Sequence, residues 1–230
     1  MGGDGALLHK AALVWHELSQ HKYIFTYGYK MKLYTINLSF SPEDFPHLAG
    51  FQYLKDLTLP RFTPAKTVAK ILDGTITQEQ IEKGIQYEEM VKPRLLALAA
   101  LEEMLDNEFS LYSFMPCFYS FVTSIRADYL IASHMGDVSF VFLIREGERS
   151  LVSDCICCST FRKDERDYEQ NQRSFTLLKK VKTKLLTNEA QVLFLKENFK
   201  DPEAVESADN SATENTDASG STDNAGNTKE

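Results

Sequence analysis

The chain is poor in the residues on which small secreted and metal-held domains depend. Four cysteines in 230 residues, Cys117, Cys155, Cys157 and Cys158, are too few and too clustered for a disulfide framework. Three of them crowd into Cys155-Ile156-Cys157-Cys158, but no second pair stands at zinc-ligand spacing. In a strand, Cys155 and Cys157 would share one face and Cys158 would take the other, which suits buried thiols. No metal or cofactor is expected. No run approaches the roughly 18 apolar residues that cross a bilayer. Residues 1–5 lack the basic start and apolar stretch of a signal peptide. A cytoplasmic protein with no membrane partner is the expectation. Also missing are a P-loop glycine run, a Gly-x-Ser-x-Gly elbow, a zincin helix and an EF-hand loop.

Positive charge is scarce overall, with a formal net charge of −8, yet its distribution matters more than its sum. Residues 201–230 hold eight acidic residues and one lysine, a local charge of −7. The first 200 residues are therefore close to neutral, and nothing in their charge forbids a nucleic-acid partner. The terminal stretch has no aromatic residue and no large aliphatic beyond Val205, so it cannot bury a core and reads as a disordered acidic tail.

What is present points to an α+β fold. Residues 6–20 carry helical periodicity. Residues 23–27 and 31–40, split by Gly28, read as a hairpin. Ser41-Pro42-Glu43-Asp44 is a helix-opening signal, and a short helix is expected over residues 47–57. Thr63-Pro64 opens a helix ending at Asp73-Gly74, Thr77 with Gln80 has capping-box spacing, and residues 90–107 are helix-rich. The period then changes to short strands at 109–114, 119–125, 129–133, 138–145, 150–160 and 174–180, with a last helix over 188–199. Helices followed by strands predict helices packed on a mainly antiparallel sheet. The divisions are residues 1–22 for the N-terminal helix, 23–200 for the main domain and 201–230 for the tail.

Five histidines are available, and His47 is the one placed where chemistry would use it. At the start of a short helix the unpaired amides favour an anion, and imidazole titrates near neutrality, as a general acid or base must. A packing or capping role is the competing reading. Lys55 would lie about 80° around the same helix and could neutralise a phosphate, unless it pairs with Asp56 or Glu43 on the surface. Between residues 162 and 184 basic side chains outnumber acidic ones, interleaved with Tyr168 and Phe175, a pattern able to hold a nucleic-acid backbone and stack a base. A charged surface loop between strands fits equally well.

Taken together, Tyr23-Ile24-Phe25, the strand Leu33-Tyr34-Thr35-Ile36-Asn37-Leu38-Ser39-Phe40, and Asp44-Phe45-Pro46-His47-Leu48-Ala49-Gly50-Phe51 with Leu54-Lys55-Asp56 resemble a known family. It is the fourth phage-associated family of the barnase–EndoU–colicin E5/D–RelE (BECR) nucleases. Ala127-Asp128-Tyr129-Leu130, Val138-Ser139-Phe140-Val141-Phe142-Leu143-Ile144 and Phe175-Thr176-Leu177-Leu178-Lys179-Lys180 fit the same pattern in the same order. The resemblance covers residues 23–184. It implies a BECR-like α+β fold and a metal-independent endoribonuclease of phage or mobile-element origin, a toxin or an anti-defence factor. It implies RNA as the partner, with an antitoxin or a host defence protein as a further one. By that resemblance His47 is the acid or base. Lys55 and Thr160 join it as catalytic residues, and Ser159, Tyr168, Gln172 and Lys179 bind substrate. The alternative is a catalytically inactive interaction protein that binds a host protein or nucleic-acid complex.

Overall fold

The apolar positions of α1 (Leu7–Leu18) fall at Leu8, Ala11, Ala12, Trp15 and Leu18, a spacing that turns one helix face inward. The computed structural model describes residues 6–200, apart from Arg61, Gly136 and Arg149, and shows what that face meets. The reading of residues 1–5 and the acidic tail both lie outside the described residues. Trp15 packs edge-on against Phe40 at 5.4 Å and beside Phe45 at 6.3 Å, and its indole N–H donates to the Ser41 carbonyl at 3.0 Å. The helix therefore shares one core with the strands and clamps the segment that leads to His47.

The hairpin forms from β1 (His21–Tyr29) and β2 (Lys32–Ser39), but it turns at Lys30-Met31 rather than at Gly28, which lies in β1 opposite Leu33. The helical middle comprises α2 (Phe45–Leu48), α3 (Pro64–Leu72), α4 (Gln78–Ile81), α5 (Lys92–Ala99) and α6 (Leu101–Asp106). The capping box of α4 is complete: the Thr77 hydroxyl accepts from Gln80 N, and the Gln80 side chain accepts from Thr77 N at 2.9 Å. Then follow β3 (Ser110–Ser113), β4 (Tyr129–Ser133), β5 (Ser139–Glu146), β6 (Val152–Arg162), β7 (Arg173–Lys184) and β8 (Ala190–Leu195).

These strands make one sheet in the order β1-β2-β6-β5-β4-β3-β7-β8, and β7 also pairs with β1. Seven strands thus close into a barrel, with β8 outside it on β7. The sheet is mixed rather than purely antiparallel, because β2 and β6 run parallel from Thr35↔Val152 to Ser39↔Ile156. A parallel pair needs a long crossover, and the whole helical middle and β3–β5 lie between those two strands.

Three local expectations give way to tertiary context. Residues 188–199 are not a helix: Asn188 takes a left-handed turn (φ 56°), and β8 pairs along β7 from Thr183↔Ala190 to Lys179↔Leu195. The sequence Val192-Leu193-Phe194 suits a strand once the edge of β7 is there to receive it. Residues 119–125 are irregular chain laid across the outer face of β4 and β5. There Tyr119 and Phe121 stack at 4.7 Å and both rings meet Tyr168. The helix expected over 47–57 breaks at Gly50, whose backbone is left-handed (φ 84°), leaving α2 and a single 3-10 turn at Phe51–Tyr53.

Much of the basic bias of residues 162–184 is neutralised within the fold. Arg162 pairs with Asp137 at 2.5 Å. Lys182 bonds Glu102 at 2.7 Å and Asp106 at 3.0 Å, and the buried Tyr23 hydroxyl donates to that same Asp106 at 2.5 Å. Lys180 is buried and donates to the carbonyls of Leu105 (2.7 Å) and Asn107 (2.5 Å), satisfying the end of α6; burial pulls its ammonium down to about 8.

The cysteines follow the strand alternation of β6. Cys155 and Cys157 face the main core, and Cys158 joins the second core of Phe114, Leu130, Phe140, Phe142 and Tyr168. Burial pushes the Cys155 thiol up to about 12 and the Cys158 thiol to about 11. Only the thiolate is nucleophilic, so iodoacetamide at neutral pH should modify the exposed Cys117 alone. Peptide mass mapping checks this; labelling of Cys158 at a comparable rate would contradict the buried outer face.

Candidate active site

His47 is the third residue of α2, in its last turn rather than at its start, because the helical path begins earlier with a 3-10 turn at Pro42–Asp44. Phe45 and Leu48 of α2 are buried, which leaves His47 exposed above the surface. The chain then reverses at Gly50, and the turn Phe51–Tyr53 brings Gln52 and Tyr53 round beside it. These residues form one wall of a cleft of about 330 Å³. Arg94 of α5, Ser159 and Cys158 of β6 and the chain at Ser124–Arg126 form the rest.

Among the described residues no carboxylate lines this cleft, although the protein as a whole is acidic; the carboxyl of Asp44, just before α2, lies close enough to feel His47. Arg94 is half-buried and, among the described residues, forms no ion pair. Its Nη1 donates to the Met90 carbonyl at 2.6 Å, and its guanidinium sits 5.0 Å from the Tyr53 ring and 5.9 Å from the Phe161 ring. Burial shifts its pKa downward. A partly desolvated cation stabilised only by ring faces and one carbonyl carries an unfilled demand for an anion. Arg126 is exposed across the cleft, where its carbonyl receives the Cys158 thiol at 3.4 Å. A larger hollow of about 570 Å³ lies elsewhere, lined by Lys10, Glu103, Asp137 and Arg162, but it mixes charges and its arginine is already paired.

Gly50 is what lets Arg94 lie where it does. A Cβ there would stand 3.1 Å from the Arg94 Cδ and 3.1 Å from the Met90 carbonyl oxygen to which that arginine donates. The left-handed backbone adds its own preference for glycine. Gly50→Ala should therefore cost about 1–3 kcal/mol of stability and displace the guanidinium. Urea unfolding measures the first effect, and weakened phosphate binding by titration calorimetry the second. Unchanged values for both would contradict the cradle.

Of the residues singled out from sequence, His47 and Ser159 share this cleft. Lys55 is exposed and lies outside the lining; the helical angle relating it to His47 does not apply once the helix breaks at Gly50. Thr160 is buried and its hydroxyl donates to the Phe140 carbonyl at 3.0 Å. Tyr168 is buried at the centre of the second core, in contact with Tyr119, Phe121, Phe140, Phe142 and Phe161. Gln172 braces the backbone of Met115, accepting from its N–H at 2.6 Å and donating to its carbonyl at 3.2 Å. Lys179 stands on β7, opposite Thr26 and Leu195, strands away from β6. The cleft also holds Arg94, Arg126, Gln52 and Tyr53, which the sequence does not single out. The one available signal was Arg94 itself, a lone arginine before the run Leu95-Leu96-Ala97-Leu98.

The structure is thus a closed mixed barrel buttressed by helices, with an exposed histidine over a cleft lined by two arginines. The family model described as phage-Barnase-EndoU-ColicinE5/D-RelE like nuclease 4 matches residues 7–198, and the chain belongs to that family. The match takes in α1 and runs past β8, further at both ends than the residues that first carried the resemblance. No curated protein and no solved structure matches the chain. No helix among the described residues is long and apolar enough to cross a membrane.

Proposed function

We propose that the protein is a metal-independent endoribonuclease that uses the ribose 2′-hydroxyl as its nucleophile. The observation that carries this reading is that His47 and two arginines, Arg94 and Arg126, line one cleft. A base removes the 2′-hydroxyl proton and the freed oxygen attacks the adjacent phosphorus. The bond to the 5′-oxygen breaks, an acid protonates that oxygen, and a 2′,3′-cyclic phosphate remains. His47, whose exposed side chain makes no hydrogen bond among the described residues, serves one of these proton transfers. Arg94 and Arg126 hold the non-bridging oxygens as charge builds on them, the role fixed cationic donors perform best in a partly water-excluded site. Ser159 and Gln52 supply neutral polar contacts at the rim.

The mechanism requires the 2′-hydroxyl. An oligonucleotide with hydrogen in place of every 2′-hydroxyl should bind the cleft and remain uncut, while its all-ribose counterpart is cleaved. Equal cleavage of both strands overturns the reading.

A further inference from the structure

The tip of the β1–β2 hairpin is built in a way that the fold alone does not require. Lys30 and Met31 occupy its two turn positions, both left-handed (φ 47° and 60°), where glycine or asparagine would be relaxed. Two consecutive residues in this conformation are strained, and Met31 is fully exposed, so its side chain contributes no packing in return. Around the tip the rings form a continuous group. The partly exposed rings rest on the core: Tyr34 stacks on the buried Tyr27 at 5.4 Å, Tyr29 meets Phe175 at 5.4 Å, and Tyr29 lies 6.4 Å from Tyr34. Three cations border them. Lys30 lies 5.4 Å from the Tyr29 centroid, Arg173 lies 5.4 Å from the same ring and donates to its hydroxyl at 2.7 Å, and Lys32 is exposed on the next strand. Among the described residues, none of the three cations forms an ion pair.

We infer that this tip is a second contact point for single-stranded RNA, outside the cleft. Aromatic faces bordered by unpaired cations match a chain that alternates flat bases with phosphates, and the combination tolerates any base because every base has a π face. An acidic protein segment would satisfy the cations but make no particular use of the rings. The tip and the cleft lie toward opposite ends of β6, which pairs with β2 from Val152 beside Thr35 to Ile156 beside Ser39 and reaches the cleft at Ser159. The eight residues of β2 span roughly 25 Å. A dinucleotide in the cleft cannot reach the tip, whereas a longer strand can. The tip therefore sets a preference for extended, unpaired RNA, an inference that rests on the nuclease reading for its choice of substrate.

The test is binding by the full chain, followed by fluorescence anisotropy, with a long single strand carrying 2′-O-methyl groups so that cleavage cannot intervene. The variant Lys30→Gln/Lys32→Gln/Arg173→Gln removes the charges without adding repulsion, and an unchanged melting temperature verifies its fold. Its affinity for the long strand should fall about tenfold or more at moderate salt, and the slope of log K against log salt should flatten by about 2, as expected for three lost phosphate contacts. Affinity for a dinucleotide should stay the same. A single change, Lys32→Gln, gives a smaller shift of the same kind should the triple variant be unstable. Equal affinity of wild type and variant for the long strand, or an equal loss for the dinucleotide, overturns the inference. Because nothing here is cleaved, tip-dependent binding by a protein that cuts no RNA would sink the nuclease reading and spare the contact point. Cleavage without tip dependence would do the reverse.

Discussion

Replacing His47 with alanine should lower the rate of RNA cleavage by about 10²–10⁴-fold and leave the melting temperature within a degree or so of wild type. The two halves of this expectation come from the same geometry. His47 projects from a four-residue helix anchored by buried Phe45 and Leu48, and its own side chain is exposed. Truncating it removes no packing, so any large loss belongs to chemistry. The anchor itself is indirect. Trp15 of α1 holds the preceding turn through Ser41 and packs on Phe45, so Trp15→Ala would damage the same activity by unfolding the support. Comparing the two variants separates a catalytic histidine from a structural one. An active, equally folded His47→Ala protein would remove His47 from the mechanism.

Arg94→Gln should reduce kcat/KM by about 10²–10³-fold, the usual cost of losing one preorganised donor to a developing anion. Its effect on stability should be small and could be favourable. The wild-type side chain is a half-buried cation with no acidic partner among the described residues, and a neutral side chain of similar shape escapes that desolvation. A gain or constancy in urea stability together with a collapse in rate is the signature of a residue kept for function. Arg94→Lys should not restore activity, because an ammonium cannot present a planar fork from between Gly50 and the Tyr53 ring. A glutamine variant that is both stable and fully active would show that the cleft takes no phosphate at this arginine.

The elements legible in the sequence are those whose causes are local. The periodicity of α1, the Thr77–Gln80 capping box, the strands β4 to β6 and the alternation of Cys155, Cys157 and Cys158 all follow from side chains within a few positions of one another. Residues 190–195 depend on the distant edge of β7, and their own pattern cannot announce it. Tyr168 is instructive. Amid charged neighbours it reads as a ring available for stacking, yet β4 and β5 are buried on both faces and Tyr168 is what covers the outer one. The unbroken apolar run Phe140-Val141-Phe142-Leu143 carried that information, since a strand exposed on one side would alternate.

The site divides in the same way. His47 stood out because the sequence places it at the start of a short helix, although the structure sets it in the last turn of α2. Arg94 did not, because an arginine is interesting only when it is half-buried without a counter-charge, and that is a property of three elements meeting. Gly50 joins the two. Its left-handed backbone ends the path from α2, denies the continuous helix that would have aligned Lys55 with His47, and leaves room for the Arg94 stem.

The most direct test of the central claim is the chemistry of the cut ends. Total bacterial RNA is incubated with wild type, His47→Ala and Arg94→Gln in the presence of EDTA, and the termini are mapped and typed. Discrete cuts ending in 2′,3′-cyclic phosphate, produced by wild type in chelator and slowed by about 10²-fold or more in both variants, are the expected result. Cuts that vanish with chelator, that leave other termini, or that persist at the wild-type rate in His47→Ala would contradict it.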